Sequence, residues 1–192
     1  MIDSYPLITL GSPYGVGYEI FLLSVADKFF TGHTPFCVGS ESVMKLFIKE
    51  LDVRPVYKII TKDELNDCQS ISDYDFILIN VDDKEYGISD IFSISKETDG
   101  EIAYKTIKES AYLVKDLKFK SVTTLPVSKD NINLFDKDFY GHTEFYQKIW
   151  EQKEVFMTFV SEKLNVLLLT THIPLKEVAK TIDKNLLRRG IE

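Results

Sequence analysis

The sequence predicts an α/β layer fold. Two observations carry that expectation. Short apolar runs alternate along the chain with longer stretches whose apolar residues recur at helical spacing. The run at residues 76–81 is almost continuously apolar, as expected of a parallel strand buried on both faces. The composition agrees: 44% of the 192 residues are hydrophobic and 28% are charged, which is the balance of a folded globular chain.

The elements follow in order. Residues 5–10 read as a first strand, and residues 11–17 as a loop rich in Gly and Pro. Residues 18–30 place Ile20, Phe21, Val25 and Phe29 at helical spacing. Residues 35–39 read as a strand, and Ser40 as the N-cap of a helix reaching about Leu51. A short strand at 56–60 precedes a short helix opening at 61–65. After the buried run at 76–81, residues 82–99 are polar and mixed and read as an irregular excursion. Residues 101–117 form the clearest helix, with Ile102, Ile107, Ala111, Val114 and Leu117 near one face. Residues 121–127 read as a strand and 141–150 as a turn into a helix. Residues 155–160 and 165–171 read as two strands joined by the turn-like segment 161–164. Pro174 opens a helix to Ile182 at a tolerated first-turn position, and a short tail follows.

Composition also excludes function classes. A net charge of −7 provides no general attraction for nucleic acid. Arg188 and Arg189 form the single short basic cluster and read as a solvated helix end. Cys37 and Cys68 are too few for a disulfide framework, and neither sits in a metal-ligand pattern with His. No apolar run reaches the roughly 20 residues that a membrane span requires. No signal-like leader is evident, so the cytoplasm is the expected compartment.

Four segments carry candidate chemistry. Gly11-Ser12-Pro13-Tyr14-Gly15-Val16-Gly17 joins a strand to a helix, where backbone N–H groups can hold an anion. Its spacing is neither GxGxxG nor a P-loop, so a tight strand-to-helix turn is the favoured reading. Thr124-Leu125-Pro126-Val127-Ser128-Lys129 lies at the C-terminal end of a strand, where open α/β sheets place ligands. Lys129 could hold a phosphate or carboxylate there, or be simply solvated. Gly141-His142-Thr143-Glu144 sets two hydrogen-bonding side chains beside the free N–H groups of a helix start, suited to phosphate. An ordinary surface His beside a capping Thr fits those residues equally well. In Thr170-Thr171-His172-Ile173-Pro174-Leu175, His172 follows an apolar strand, where it reads as a hydrogen-bonded buried His or as one metal ligand. No Ser-His-Asp or Cys-His arrangement is supported. Asp82 and Asp83 read as solvated carboxylates.

Taken together, these segments resemble the 4-phosphohydroxythreonine dehydrogenase (4-hydroxythreonine-4-phosphate dehydrogenase) family of pyridoxal phosphate biosynthesis. Residues 11–19 (GSPYGVGYE) are similar to the family's G-D-P-A-G-I-G-P-E loop. Residues 100–111 (GEIAYKTIKESA) resemble the helix before its central strand. Residues 124–129 (TLPVSK) resemble its T-x-P-[IV]-x-K element. Residues 141–145 (GHTEF) and 170–175 (TTHIPL) match its two His motifs in the same order. The resemblance covers essentially the whole chain, as the N-terminal half of the family.

The resemblance implies a three-layer α/β/α fold of the isocitrate/isopropylmalate dehydrogenase type, truncated here. Residues 1–120 would form a first α/β lobe, and residues 121–192 the incomplete start of a second. It implies oxidation of 4-phosphohydroxythreonine with NAD or NADP and a divalent metal (Zn, Mg or Co), followed by loss of carbon dioxide. Lys129 would be catalytic, His142 and Thr143 would contact the phosphorylated substrate, and His172 would be one of three His ligands to the metal. The family assembles as a homodimer whose sites draw on both subunits, so a second copy, or a partner chain carrying the missing half, is expected. This sequence departs from the pattern at Ser12, which replaces an acidic residue, at Tyr14 and Tyr18, and at Ser128. It contains neither of the later N-P-H-A-G and H-D-Q-G motifs that hold the other two metal His.

Overall fold

The computed structural model describes residues 7–67, 71–116 and 119–191. Tyr5, Pro6, Cys68 and Leu117 of the sequence reading lie outside them. The chain divides into two compact units, Met1–Trp150 and Glu151–Glu192.

The first unit holds β1 (Leu7–Thr9), α1 (Gly17–Ala26), β2 (Phe36–Gly39), α2 (Glu41–Glu50), β3 (Tyr57–Ile60), β4 (Phe76–Asn80), α3 (Lys96–Lys115), β5 (Val122–Thr124), α4 (Lys129–Phe135) and α5 (His142–Ile149). Its strands form one parallel sheet in the order β3-β4-β2-β1-β5. Alternate residues of each strand face opposite ways, so the sheet builds a core on each face. On one face Ile8, Leu10, Cys37, Phe76 and Leu78 pack against Tyr18, Phe21 and Leu22 of α1 and Val43, Met44 and Phe47 of α2. On the other, Leu7, Phe36, Val38, Ile77 and Ile79 pack with Leu113 of α3 and Phe119. The expected α/β/α layering is therefore present. Strands β2 and β4, covered on both faces, are the continuous apolar runs of the sequence.

Local chemistry sets the boundaries. Ser40 caps α2 by accepting the Val43 N–H, as its sequence context predicts. Tyr18 reaches across from α1, stacks on Phe47, and accepts the Ser40 N–H at 2.8 Å. Helix α3 begins earlier than expected, because Ser95 caps it through the Thr98 N–H. The polar stretch before it contains one more capped turn, Ile91–Ser93, held by Asp90. Strand β5 is shorter than expected. Leu125 still donates to the Thr9 carbonyl, but Pro126 has no N–H to continue the ladder. Helix α4 was not predicted; Ser128 caps it by accepting the Asn131 N–H. Cys37 is a buried free thiol whose Sγ lies 3.5 Å from the Ile77 carbonyl oxygen.

Because β5 pairs with β1, and because α4 and α5 share a cluster with α3 through Ile132, Phe139 and Tyr146, residues 121–150 belong to the first compact unit. The compact units thus divide later in the chain than the lobe boundary expected after residue 120.

The second unit holds an antiparallel pair, β6 (Met157–Phe159) and β7 (Val166–Leu168), followed by α6 (Leu175–Thr181) and α7 (Lys184–Ile191). The expected turn at 161–164 is closed by Ser161, whose hydroxyl donates to the Leu164 carbonyl and accepts its N–H. The tail expected after Ile182 is helical, and Arg188 and Arg189 are exposed in its last turn as expected, with Arg189 making two hydrogen bonds to Glu154.

Helices α3 and α4 touch backbone to backbone: a Cβ on Gly100 would overlap the Asn131 carbonyl. An exposed helical Gly gains about 1 kcal/mol on replacement by Ala. Here overpacking against backbone should dominate, and Gly100→Ala is expected to destabilise the chain by about 1–3 kcal/mol in chemical denaturation. A more stable variant would contradict the packing described.

Candidate functional site

The sheet's connections diverge at β1. The chain leaves β1 through α1 on one face, whereas the connection to β5 runs through α3 on the other. Open α/β sheets bind ligands at such a point, outside the C-terminal strand ends. Two of the four sequence candidates, the segments after β1 and after β5, meet there.

The loop at residues 11–17 is a tight turn. Gly11 has φ of 72°, and a Cβ at this position would collide with the Pro126 carbonyl. The Ser12 N–H donates to that carbonyl at 3.1 Å, and the Gly15 N–H donates to the Ser12 carbonyl at 2.9 Å. The Ser12 hydroxyl accepts the Ser128 N–H at 2.9 Å and donates to Asp99 Oδ2 at 3.1 Å. Asp99 also accepts the Tyr14 N–H at 2.7 Å and Asn131 Nδ2 at 2.7 Å. Its side chain belongs to the first turn of α3 and is 1% exposed. The favoured sequence reading, a turn rather than an anion cradle, agrees with this geometry: the Tyr14 N–H is already engaged by a carboxylate.

Sequence reasoning missed Asp99 and Asn131. An acidic residue in the first turn of a helix ordinarily complements the helix dipole and faces water. Asp99 sat next to Gly100 at the end of a stretch read as irregular. Asn131 sat in a helix that was not foreseen.

Lys129 begins α4 and is exposed. Among the described residues no ion pair is found at its ammonium group. Its side chain lies against Gly141, the N-cap of α5: a Cβ there would sit 3.3 Å from Lys129 Nζ and 2.9 Å from Glu144 Oε2. His142 and Thr143 open α5 directly beside it. His142 is half-buried, with its ring 6.3 Å from Phe139 and 6.1 Å from Tyr146. Its Nε2 is buried without a hydrogen-bond partner among the described residues. Burial, and secondarily the charge of Lys129, hold its pKa below the ordinary histidine value. Thr143 is exposed. The structure therefore brings Lys129, His142 and Thr143 to one corner: a cation, a neutral imidazole and a hydroxyl at the start of a helix.

A second lysine at the same sheet edge makes the contrast. Lys105 donates to Asp83 at 2.5 Å, Glu101 at 2.8 Å and Tyr86 at 3.0 Å. Partial burial opposes its charge, but these partners prevail and raise its pKa. Asp82, expected to be solvated, instead accepts the N–H and hydroxyl of Ser42 in the first turn of α2. These charges serve structure.

His172 belongs to the second unit. It is exposed and takes a left-handed backbone, with φ of 57°. The hydrogen-bonded buried reading is therefore corrected: the residue sits in a turn after β7, at the surface. Among the described residues no group of three or more His, Cys, Asp or Glu is gathered so as to hold a metal ion. No helix among them is long and apolar enough to cross a membrane.

A family profile described as "Pyridoxal phosphate biosynthetic protein PdxA" matches residues 31–192. The chain belongs to the PdxA family. A 4-hydroxythreonine-4-phosphate dehydrogenase of Sulfurihydrogenibium sp. is 32% identical over 92% of this chain and 52% of its own length. A D-threonate 4-phosphate dehydrogenase of Pectobacterium atrosepticum is 25% identical over 96% of this chain and 56% of its own length. A solved 4-hydroxythreonine-4-phosphate dehydrogenase from Burkholderia phymatum superposes with a TM-score of 0.81 at 23% identity, over 97% of this chain and 56% of that one. That likeness shows the fold. The chain spans about half the length of the PdxA relatives it matches.

His142 offers a direct test of the corner. In an NMR titration it is expected to titrate below about 6.5. Lys129→Ala should raise that value only part-way, because burial is the larger cause. Folding favours the neutral ring, so the associated stability is complete above the unfolded-state value and is lost as pH falls through the folded-state value. A value above the ordinary one, or one unmoved by Lys129→Ala, would contradict the geometry.

Proposed function

We propose that this chain supplies the phosphate-recognising corner of a dehydrogenase that oxidises a phosphorylated hydroxy acid with NAD or NADP, as in pyridoxal phosphate biosynthesis. The observation that carries the reading is the unpaired ammonium of Lys129 beside the start of α5, with His142 and Thr143 at hand. Charge-assisted hydrogen bonds to phosphate are roughly twice as strong as neutral ones, and a Lys without an ionic partner is free to make them. The names of the relatives support the same substrate class. Some act on 4-hydroxythreonine-4-phosphate and others on D-threonate 4-phosphate. Both substrates are hydroxy acids bearing a phosphate at the same position.

In this reading Lys129 neutralises the phosphate, Thr143 donates its hydroxyl, and the helix start contributes backbone N–H groups. His142 is held neutral by burial and by Lys129, so it adds no second charge to the corner. For 4-phosphohydroxythreonine the carbinol carbon loses a hydride, its hydroxyl loses a proton, and the resulting β-keto acid releases carbon dioxide. A bound nicotinamide would supply the hydride acceptor. The described residues do not by themselves fit a metal: His172 offers one imidazole, and selective sites need three or four converging ligands. The reading therefore includes a homodimer or a partner chain that completes the site. That same deficit favours a second reading, in which the chain binds the phosphorylated acid without turning it over.

Calorimetry with 4-phosphohydroxythreonine and its unphosphorylated parent separates these readings from failure. The phosphorylated acid should bind more tightly. Lys129→Ala should weaken it by about tenfold or more, the loss of one charged hydrogen bond. Equal affinity for the two acids would refute the phosphate corner. Formation of reduced nicotinamide, with divalent metal present and dependent on His172, would select the enzyme reading; binding without it would select the second.

A further inference from the structure

We propose that Asp99 is the positioning residue of this corner: its buried carboxylate ties the loop after β1 to the first turn of α4, and so fixes where Lys129 stands. The inference rests on the phosphate reading above and adds a residue that touches no substrate.

Three donors converge on Asp99 from two places in the chain, the loop after β1 and α4. The Tyr14 N–H comes from the loop after β1, Asn131 Nδ2 from α4, and the Ser12 hydroxyl links the two by also accepting the Ser128 N–H. Ser128 and Asn131 flank Lys129 on either side, so both ends of the helical turn that carries the lysine are tied to one carboxylate. Every contact on Asp99 is a donation to it, which is the pattern an acceptor-only group requires. A carboxylate that is 1% exposed is costly to bury unless its oxygens are engaged in this way.

The surroundings leave no slack. The Gly100 backbone abuts the Asn131 carbonyl, and the Gly11 backbone abuts Pro126. The loop and α4 can keep these approaches only in the register that Asp99 sets. Ser12 fits the arrangement because a short hydroxyl both accepts and donates. An acidic side chain at position 12, as in the loop motif this segment resembles, would bring a second carboxylate to within hydrogen-bond distance of the first.

The experiment compares Asp99→Ala, Asp99→Asn and Ser12→Ala in the 192-residue chain. Affinity for 4-phosphohydroxythreonine and amide hydrogen exchange at Tyr14, Ser128 and Leu78 are the readouts. Asp99→Ala is expected to weaken binding by about tenfold, since it leaves several donors unpaired. It should speed exchange at Tyr14 and Ser128 while sparing Leu78 in the core of the sheet. Asp99→Asn should restore binding to within about threefold. Its oxygen can still accept from Tyr14, and its amide can donate to Ser12 and to a reoriented Asn131. Ser12→Ala, a smaller change that remains informative if Asp99→Ala folds poorly, should weaken binding less and speed exchange at Ser128.

Tighter phosphate binding by Asp99→Asn than by the parent would mean that Asp99 acts by charge and would overturn the proposal. So would Asp99→Ala exchange that is faster at Leu78 to the same degree as at Tyr14, because that is a general loss of stability. If the parent chain fails to bind the phosphorylated acid, the phosphate reading falls. The exchange measurements then decide alone: faster Ser128 exchange in Asp99→Ala with Leu78 spared upholds the tie, and unchanged Ser128 exchange overturns it.

Discussion

Backbone passes directly against backbone at Gly11 and at Gly100, and the candidate site lies between these two approaches. At Gly11 the turn after β1 meets the carbonyl of Pro126, and at Gly100 helix α3 meets the carbonyl of Asn131. Neither approach leaves room for a Cβ. Together they bring the ends of β1 and β5, the first turn of α3 and the start of α4 to one edge of the sheet. Lys129 lies between Pro126 and Asn131 in the chain, so both approaches bear on where it stands. The polar contacts of Ser12, Asp99 and Asn131 then fix a register that sterics alone would leave to slide.

Two lysines at that sheet edge show how the protein assigns charge. Lys105 is surrounded by Asp83, Glu101 and Tyr86, and its charge is spent joining the segment after β4 to α3. Lys129 has no such company. It stands beside a histidine that burial and the lysine itself keep neutral, at the positive end of α5. A histidine of lowered pKa adds no second cation to compete for a proton or a counter-ion. A point charge, a neutral ring and free amides form a combination suited to a phosphate ester, whose charge and several acceptor oxygens must be met together.

Much of the fold was legible because the sheet is parallel and covered on both faces. Strands such as Phe76–Asn80 announce themselves as unbroken apolar runs, and Ser40 marks the start of α2 by its own chemistry. Local signals failed where tertiary contacts decide. Helix α4, Lys-Asp-Asn-Ile-Asn-Leu-Phe, contains weak helix formers and is held by Ser128 at its cap and by α3 against its flank. The beginning of α3 was hidden because residues 82–99 read as one polar, irregular excursion. Lys129, His142 and Thr143 were legible as residue types at helix and strand ends. That Lys129 and His142 are neighbours, 13 positions apart in sequence, was not. Asp99 was the hardest to see: its role comes from Ser12, 87 positions away, and no spacing rule connects them.

Binding a phosphorylated substrate and oxidising it place different demands on a site. A dehydrogenase gains rate only from interactions that strengthen in the transition state, yet a remote, unreactive group such as a phosphate can supply binding energy that holds the reacting carbon in place. Those two tasks need different residues. A phosphate needs a cation, hydroxyls and amides on a rigid frame, and in the proposed reading these come from the meeting of β1, β5, α4 and α5. The reacting hydroxyl needs a hydride acceptor and, in the family this chain resembles, a metal held by converging imidazoles. His172, exposed on a turn, is one imidazole by itself. In the proposed reading the corner braced by Asp99 lies wholly within the first unit, so the first task does not wait on the second.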